Sequence, residues 1–133
     1  LSIIFMCGWS LIMAGFLFTS DINALLSHGA LDIHMTSHPD FVFFEIYELS
    51  PNLLIQKVGH LLMFAMWLLS IFLGIKRLKT AVWITLGLAV VSELIQPYFS
   101  RDGHLLDVAF DSIGILLMAF FIHIFLSATS DIR

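Results

Sequence analysis

The chain has 133 residues, of which 59% are hydrophobic and 12% charged, with a formal net charge of −4. A mean hydropathy of +0.99 excludes an ordinary soluble domain. The acidic balance excludes the basic face that nucleic acid requires.

Apolar windows of about 18–20 residues, enough to cross a hydrocarbon core of roughly 30 Å, recur along the chain. The expected fold is an all-α membrane protein, one transmembrane domain over residues 1–133. It has four transmembrane helices, with an extracytoplasmic loop between the first two. The spans fall at about 1–19, 51–75, 81–96 and 105–126.

The first span has no small-residue cleavage site before Asp21, and further spans follow it, which argues against a cleaved signal peptide. With no initiator methionine or basic leader, an upstream start of the natural chain stays open. Gly8 and Gly15 share a helical face and are expected to allow close helix approach. Cys7, the single cysteine, cannot form an intrachain disulfide and reads as a small packing residue.

Residues 21–50 form the long connection, polar at first and then Phe-Val-Phe-Phe-Glu-Ile-Tyr-Glu-Leu. Glu45 and Glu48 share a face, which suits a short helix lying in the interface. His28, His34 and His38 read as solvated loop histidines rather than ligands, because Pro39 and helix-poor surroundings disfavour a fixed site.

Ser50-Pro51 starts the second span, with serine as N-cap and proline at the first helical position. Lys76-Arg77-Leu78-Lys79 follows it, the only basic cluster in the chain. Thr80 is expected to cap the third span, which Pro97 stops. A turn over residues 98–104, tightest at Asp102-Gly103, leads to the fourth. Basic residues on a short loop mark the cytoplasmic side. Both termini, with Arg133, are then cytoplasmic, and the long connection and the residue 98–104 turn lie outside.

Depth along each helix then places the polar residues. Lys57 and His60, Glu93 and Gln96, and Asp107 and Asp111 are spaced three or four apart, so each pair shares a face. Lys57, Gln96, Arg101 and Asp107 form an outer rim. His60, Glu93 and Asp111 form a tier about one turn, roughly 5 Å, deeper. The three helices are expected to converge on an outward-open pocket, with Gly114 leaving room beneath it and Lys57 reaching outward toward water.

In this order the pieces resemble the VanZ-like family of small bacterial membrane proteins. The matching residues are Lys57-x-x-His60 with Phe64, Glu93-x-x-Gln96 followed by Arg101, and Asp107-x-x-x-Asp111-x-x-Gly114. The chain departs from the family at Asp111, where many relatives carry asparagine, and just before Arg101, where Pro-Gly is more usual. The resemblance implies a multi-pass protein of the bacterial cytoplasmic (inner) membrane, with a role at the cell envelope akin to resistance to the glycopeptide teicoplanin.

Two functional readings of the same residues stay open. Near balance of charge is what a structural clasp tying three helices requires, in a non-catalytic accessory subunit whose partners are other membrane subunits. Alternatively, Lys57 and Arg101, with Gln96 and Asp107, bind a lipid-linked or cell-wall ligand at the bilayer surface. Glu93 or Asp111 then acts as base and His60 shuttles protons. No nucleophile is evident, since Ser92 and Ser112 face about 100° away from the neighbouring carboxylates on an ideal helix. His60, Glu93 and Asp111 also have the composition of a metal triad. Lys57 and Arg101 would repel a cation, so the site is read with no metal and no cofactor. Transport is disfavoured, because the middle of the spans offers only Ser70 and Thr85 as polar groups.

Overall fold

The structure is a computed structural model. It describes residues 1–20, 25, 27–41, 43–44, 51–100 and 103–130, with the backbone alone at 51–53, 55, 56 and 130. The expected interfacial helix at Glu45 and Glu48, the Ser50 cap, Arg101, Asp102 and Arg133 lie outside the described residues.

Among the described residues the bundle is formed by four helices, three of them candidate spans: α1 (Ser2–Phe18), α2 (Pro51–Ile75), α3 (Leu78–Ile95) and α4 (Leu105–Ser130). The described parts of α2, α3 and α4 are long and apolar enough to cross a bilayer, and α1 is a shorter apolar helix of 17 residues. At 1.5 Å per residue α1 is about 25 Å long, somewhat less than the hydrocarbon thickness. Apolar residues face outward along α4, among them Phe120, Phe121, Ile124 and Phe125. Water would make such a surface costly, and lipid tails solvate it.

The third span begins earlier than its sequence suggests. Thr80 does not cap it. The α2–α3 link consists of Lys76, in the left-handed region at φ 58°, and Arg77, extended at the N-cap of α3. The Lys76 amide still donates to Phe72 O at 2.8 Å. A left-handed lysine closes α2 so tightly that α3 starts two residues before Thr80. At the far end Pro97 does not halt the chain abruptly: α3 passes into a 3-10 turn, Gln96–Phe99, where proline occupies a first-turn position needing no amide donor.

Helix α2 packs against α1, α3 and α4. Its inner stripe, Phe64, Leu68 and Ile71, meets Met13 and Leu17 of α1 and Ile115 of α4 in the core. Ala81, Thr85 and Ala89 make the matching face of α3, small residues at a spacing of four that let backbones approach. The same stripes continue toward one end of the bundle and turn polar there, into Lys57 on α2, Glu93 and Gln96 on α3, and Asp107 and Asp111 on α4. Helical periodicity therefore aims these groups inward, where a lipid-facing position would cost several kcal/mol each.

Glycine works differently from expectation. A Cβ at Gly8 would meet nothing, and one at Gly15 would touch only the Leu31 side chain, so neither marks a helix crossing. Gly114 is buried, and a Cβ there would collide with the Leu61 carbonyl of α2. It leaves no room for a ligand. It lets α2 and α4 touch backbone to backbone directly below the polar tier. Elsewhere, Trp67 Nε1 donates to Ser10 Oγ at 3.0 Å and ties α1 to α2.

The connection crosses the polar end of the bundle. The Ser20 amide donates to Asp32 O at 2.7 Å, the Thr36 amide to Tyr98 O at 2.9 Å, and the Leu105 amide to Phe43 O at 3.0 Å. Phe41 meets Tyr98 edge-on at 5.9 Å, and Phe18 meets Phe99 at 4.8 Å. These contacts bind the connection to the 3-10 turn and to the start of α4.

Candidate functional site: a two-tier polar end

The rim contains a direct ion pair. Lys57 Nζ lies 2.6 Å from Asp107 Oδ2, with both side chains almost wholly buried. Lysine does not reach outward here as its long stem would permit. Asp107, in the first turn of α4, holds it in the interior. Gln96, also buried, donates from Nε2 to Glu93 Oε1 at 3.1 Å and so joins the two tiers. Arg101, the fourth expected rim residue, lies outside the described residues.

One turn deeper, His60, Glu93 and Asp111 come together, one ligand-type atom from each lying within 4.8 Å of the others. Glu93 is well supported. Its Oε1 accepts from Gln96 and its Oε2 accepts from the His104 amide at 3.1 Å. Gly103 makes the second bond reachable, since a Cβ there would strike the Glu93 carbonyl. Nothing in the side-chain pattern announces this backbone donor; only the glycine hints at a close approach. His104 thus contributes its amide.

Asp111 is the contrasting case. It is 0% exposed, and neither carboxylate oxygen has a hydrogen-bond partner. His60 Nδ1 sits 3.6 Å from Asp111 Oδ1, beyond hydrogen-bond length, and is likewise without a partner. A buried, unsatisfied carboxylate is rare in folded proteins and costs free energy where it occurs.

The tier is closed rather than an open pocket. Glu93 is 1% exposed, and the His60 side chain, at 12%, is the most accessible of the three. A cavity beside His60, lined by Met13, Phe16, Leu17, Met63 and Phe64, has a volume of about 10 Å³, room for one water-sized group. A larger hollow of about 530 Å³ lies at the opposite end, against Leu1, Ile4, Phe5 and Leu73, and is lined almost wholly by apolar atoms. It has no chemistry to offer beyond contact with lipid tails.

The buried hydroxyls are internally occupied. Ser92 Oγ donates to Ala89 O at 2.8 Å and Ser112 Oγ to Val108 O at 2.6 Å, so neither hydroxyl is aimed at a carboxylate. Ser70 and Thr85 similarly bond back to their own helices. His34 Nε2 lies 3.2 Å from Asp32 Oδ1 at the surface. Among the described residues, the group of three or more metal-type side chains is the inner tier, and the loop histidines do not form one.

Comparison with known proteins gives a sparse result. No family model matches the chain, and no solved structure matches it. The chain is 28% identical over 116 residues to the uncharacterized membrane protein YwnJ of Bacillus subtilis (strain 168), across 83% of this chain and 81% of the relative. Together with the three apolar helices, this distant homology makes the chain a multi-pass membrane protein with a bacterial homologue.

Proposed function

We propose that the protein acts at the bacterial cell envelope, in the cytoplasmic membrane, where its polar end faces outward and binds or modifies a surface or lipid-linked ligand. The observation that carries this reading is Asp111, a fully buried carboxylate with neither oxygen bonded, 3.6 Å from an equally unpartnered His60 nitrogen. A purely structural cluster would satisfy its own members, because an uncompensated buried charge is destabilising. An unsatisfied acid beside an imidazole is instead what proton transfer to a bound group requires. In this reading the positive charges of Arg101 and of Lys57, the latter shared with Asp107, attract a phosphate or carboxylate headgroup. The basic residues Lys76, Arg77 and Lys79, at the α2–α3 link and the start of α3, support the orientation. The resemblance to the VanZ-like family supports glycopeptide tolerance as the phenotype.

The test expresses the chain in a teicoplanin-susceptible bacterial host, beside Glu93→Gln and Asp111→Asn at equal membrane abundance. The wild type is expected to raise tolerance and both variants to abolish the gain. No gain from the wild type would contradict this reading. A second reading, a non-catalytic accessory subunit, is favoured by the buried Lys57–Asp107 pair, which ties α2 to α4 without needing a ligand. Variants that disappear from the membrane, rather than persist without activity, would favour it.

A further inference from the structure

The geometry points to a site for one divalent transition-metal ion of the zinc or manganese class, bound by His60, Glu93 and Asp111. The inference concerns the same residues as the envelope reading: with an ion bound, His60 and Asp111 are its ligands rather than proton carriers, and the retention test below stands whether or not the tolerance assay succeeds. Three observations carry it.

The donors come from three different helices and already lie within 4.8 Å of one another, with His60 Nδ1 and Asp111 Oδ1 at 3.6 Å. Around a tetrahedral zinc ion with bonds of about 2.0–2.2 Å, neighbouring donors stand roughly 3.4 Å apart. The histidine–aspartate spacing is therefore close to that of two ligands sharing an ion, and the widest spacing, 4.8 Å, must draw in by roughly 1.4 Å.

Asp111 and His60 are unpartnered where they face each other, and Asp111 is wholly buried. Glu93, in contrast, accepts one hydrogen bond on each oxygen, from the Gln96 side chain and the His104 amide. This is the outer support that orients a ligating carboxylate while leaving lone pairs free. One ligand is thus pre-aimed, and the other two lack the partner that an ion supplies.

Charge completes the argument. Two carboxylates and a neutral imidazole carry −2, which one divalent cation cancels. Lys57, whose charge would oppose a cation, lies 2.6 Å from Asp107 one turn away and is balanced there. One imidazole with two carboxylates favours a borderline ion over magnesium or calcium, which prefer all-oxygen shells.

The experiment uses the whole chain, purified in detergent without a polyhistidine tag, stripped with EDTA and exposed separately to Zn²⁺, Mn²⁺, Mg²⁺ and Ca²⁺. Metal retained after desalting is measured by mass spectrometry, and the unfolding midpoint is recorded for each. The expected result is about one zinc or manganese ion per chain with a raised midpoint, and neither effect from magnesium or calcium. His60→Ala and Asp111→Asn should each cut retention at least tenfold. The triple loop variant His28→Ala/His34→Ala/His38→Ala should retain the ion. Overturning results are a wild-type chain that holds neither zinc nor manganese and shows no shift, binding that survives both site variants, or binding lost in the loop variant. Should both site variants fail to fold, X-ray absorption of the metal-loaded wild type decides. One imidazole in an oxygen-rich shell supports the site, and a shell with sulfur or several imidazoles overturns it.

Discussion

Lys57 and Asp107 form a matched pair at 2.6 Å, whereas His60 and Asp111, about one turn deeper, face each other at 3.6 Å without a bond. The two tiers share the same helices, similar burial and similar residue types. They differ in whether the facing groups hydrogen-bond to each other. The rim is furnished as a structural joint, because removing either partner leaves an uncompensated charge in a low-dielectric interior. The inner tier is furnished with one supported acid and two groups that await a partner. In the proposed reading a clasp and a working site sit a few ångströms apart, the rim taking the first role and the inner tier the second.

The comparison can be broken most sharply at the rim. Lys57→Ala should destabilise the folded protein by about 3–5 kcal/mol, the usual cost of breaking a buried pair. Lys57→Met with Asp107→Leu should recover most of that loss, read as the detergent-solubilised unfolding midpoint. A double variant no more stable than Lys57→Ala would mean that the pair is not the joint described. Next in size is Gly114→Ala. Its methyl must displace the Leu61 carbonyl, and the overpacking should cost about 1–3 kcal/mol and loosen the crossing of α2 and α4. Unchanged stability would remove the close backbone contact from the account.

At the inner tier a smaller effect is expected. Asp111→Asn replaces a carboxyl group that makes no hydrogen bond with an amide of similar shape, so the stability of the metal-free chain should change by less than about 1 kcal/mol while activity is lost. The smallest effect lies far from both tiers. Lys76→Gly relieves a left-handed lysine and should stabilise the chain by about 1 kcal/mol, with the site unaffected. A loss of stability there would show that the α2–α3 link is held by the lysine side chain rather than strained by it.

Much of this arrangement is legible in the sequence because helical periodicity is local. Spacings of three and four put Lys57 with His60, Glu93 with Gln96 and Asp107 with Asp111 on single faces, and apolar stripes below them indicate which faces turn inward. What spacing cannot supply is the axial register between helices. That register decides that Lys57 meets Asp107 instead of extending toward water, and it depends on the backbone contact of Gly114 with Leu61. The supporting amide of His104 is invisible for another reason: every residue but proline carries one, and only the fold aims it. The early start of α3 rests on a lysine in a conformation that its side chain disfavours, so local preference points to the wrong boundary.

The most direct test sets Lys57→Ala and Asp111→Asn side by side, measuring the unfolding midpoint of the purified protein and the envelope phenotype of the cells that express it. With metal removed from both proteins by EDTA, the account predicts a large drop in midpoint for Lys57→Ala, and for Asp111→Asn a midpoint close to that of the metal-free wild type with the phenotype gone. If Asp111→Asn instead loses as much stability as Lys57→Ala, both tiers are one structural clasp and the distinction between them is wrong.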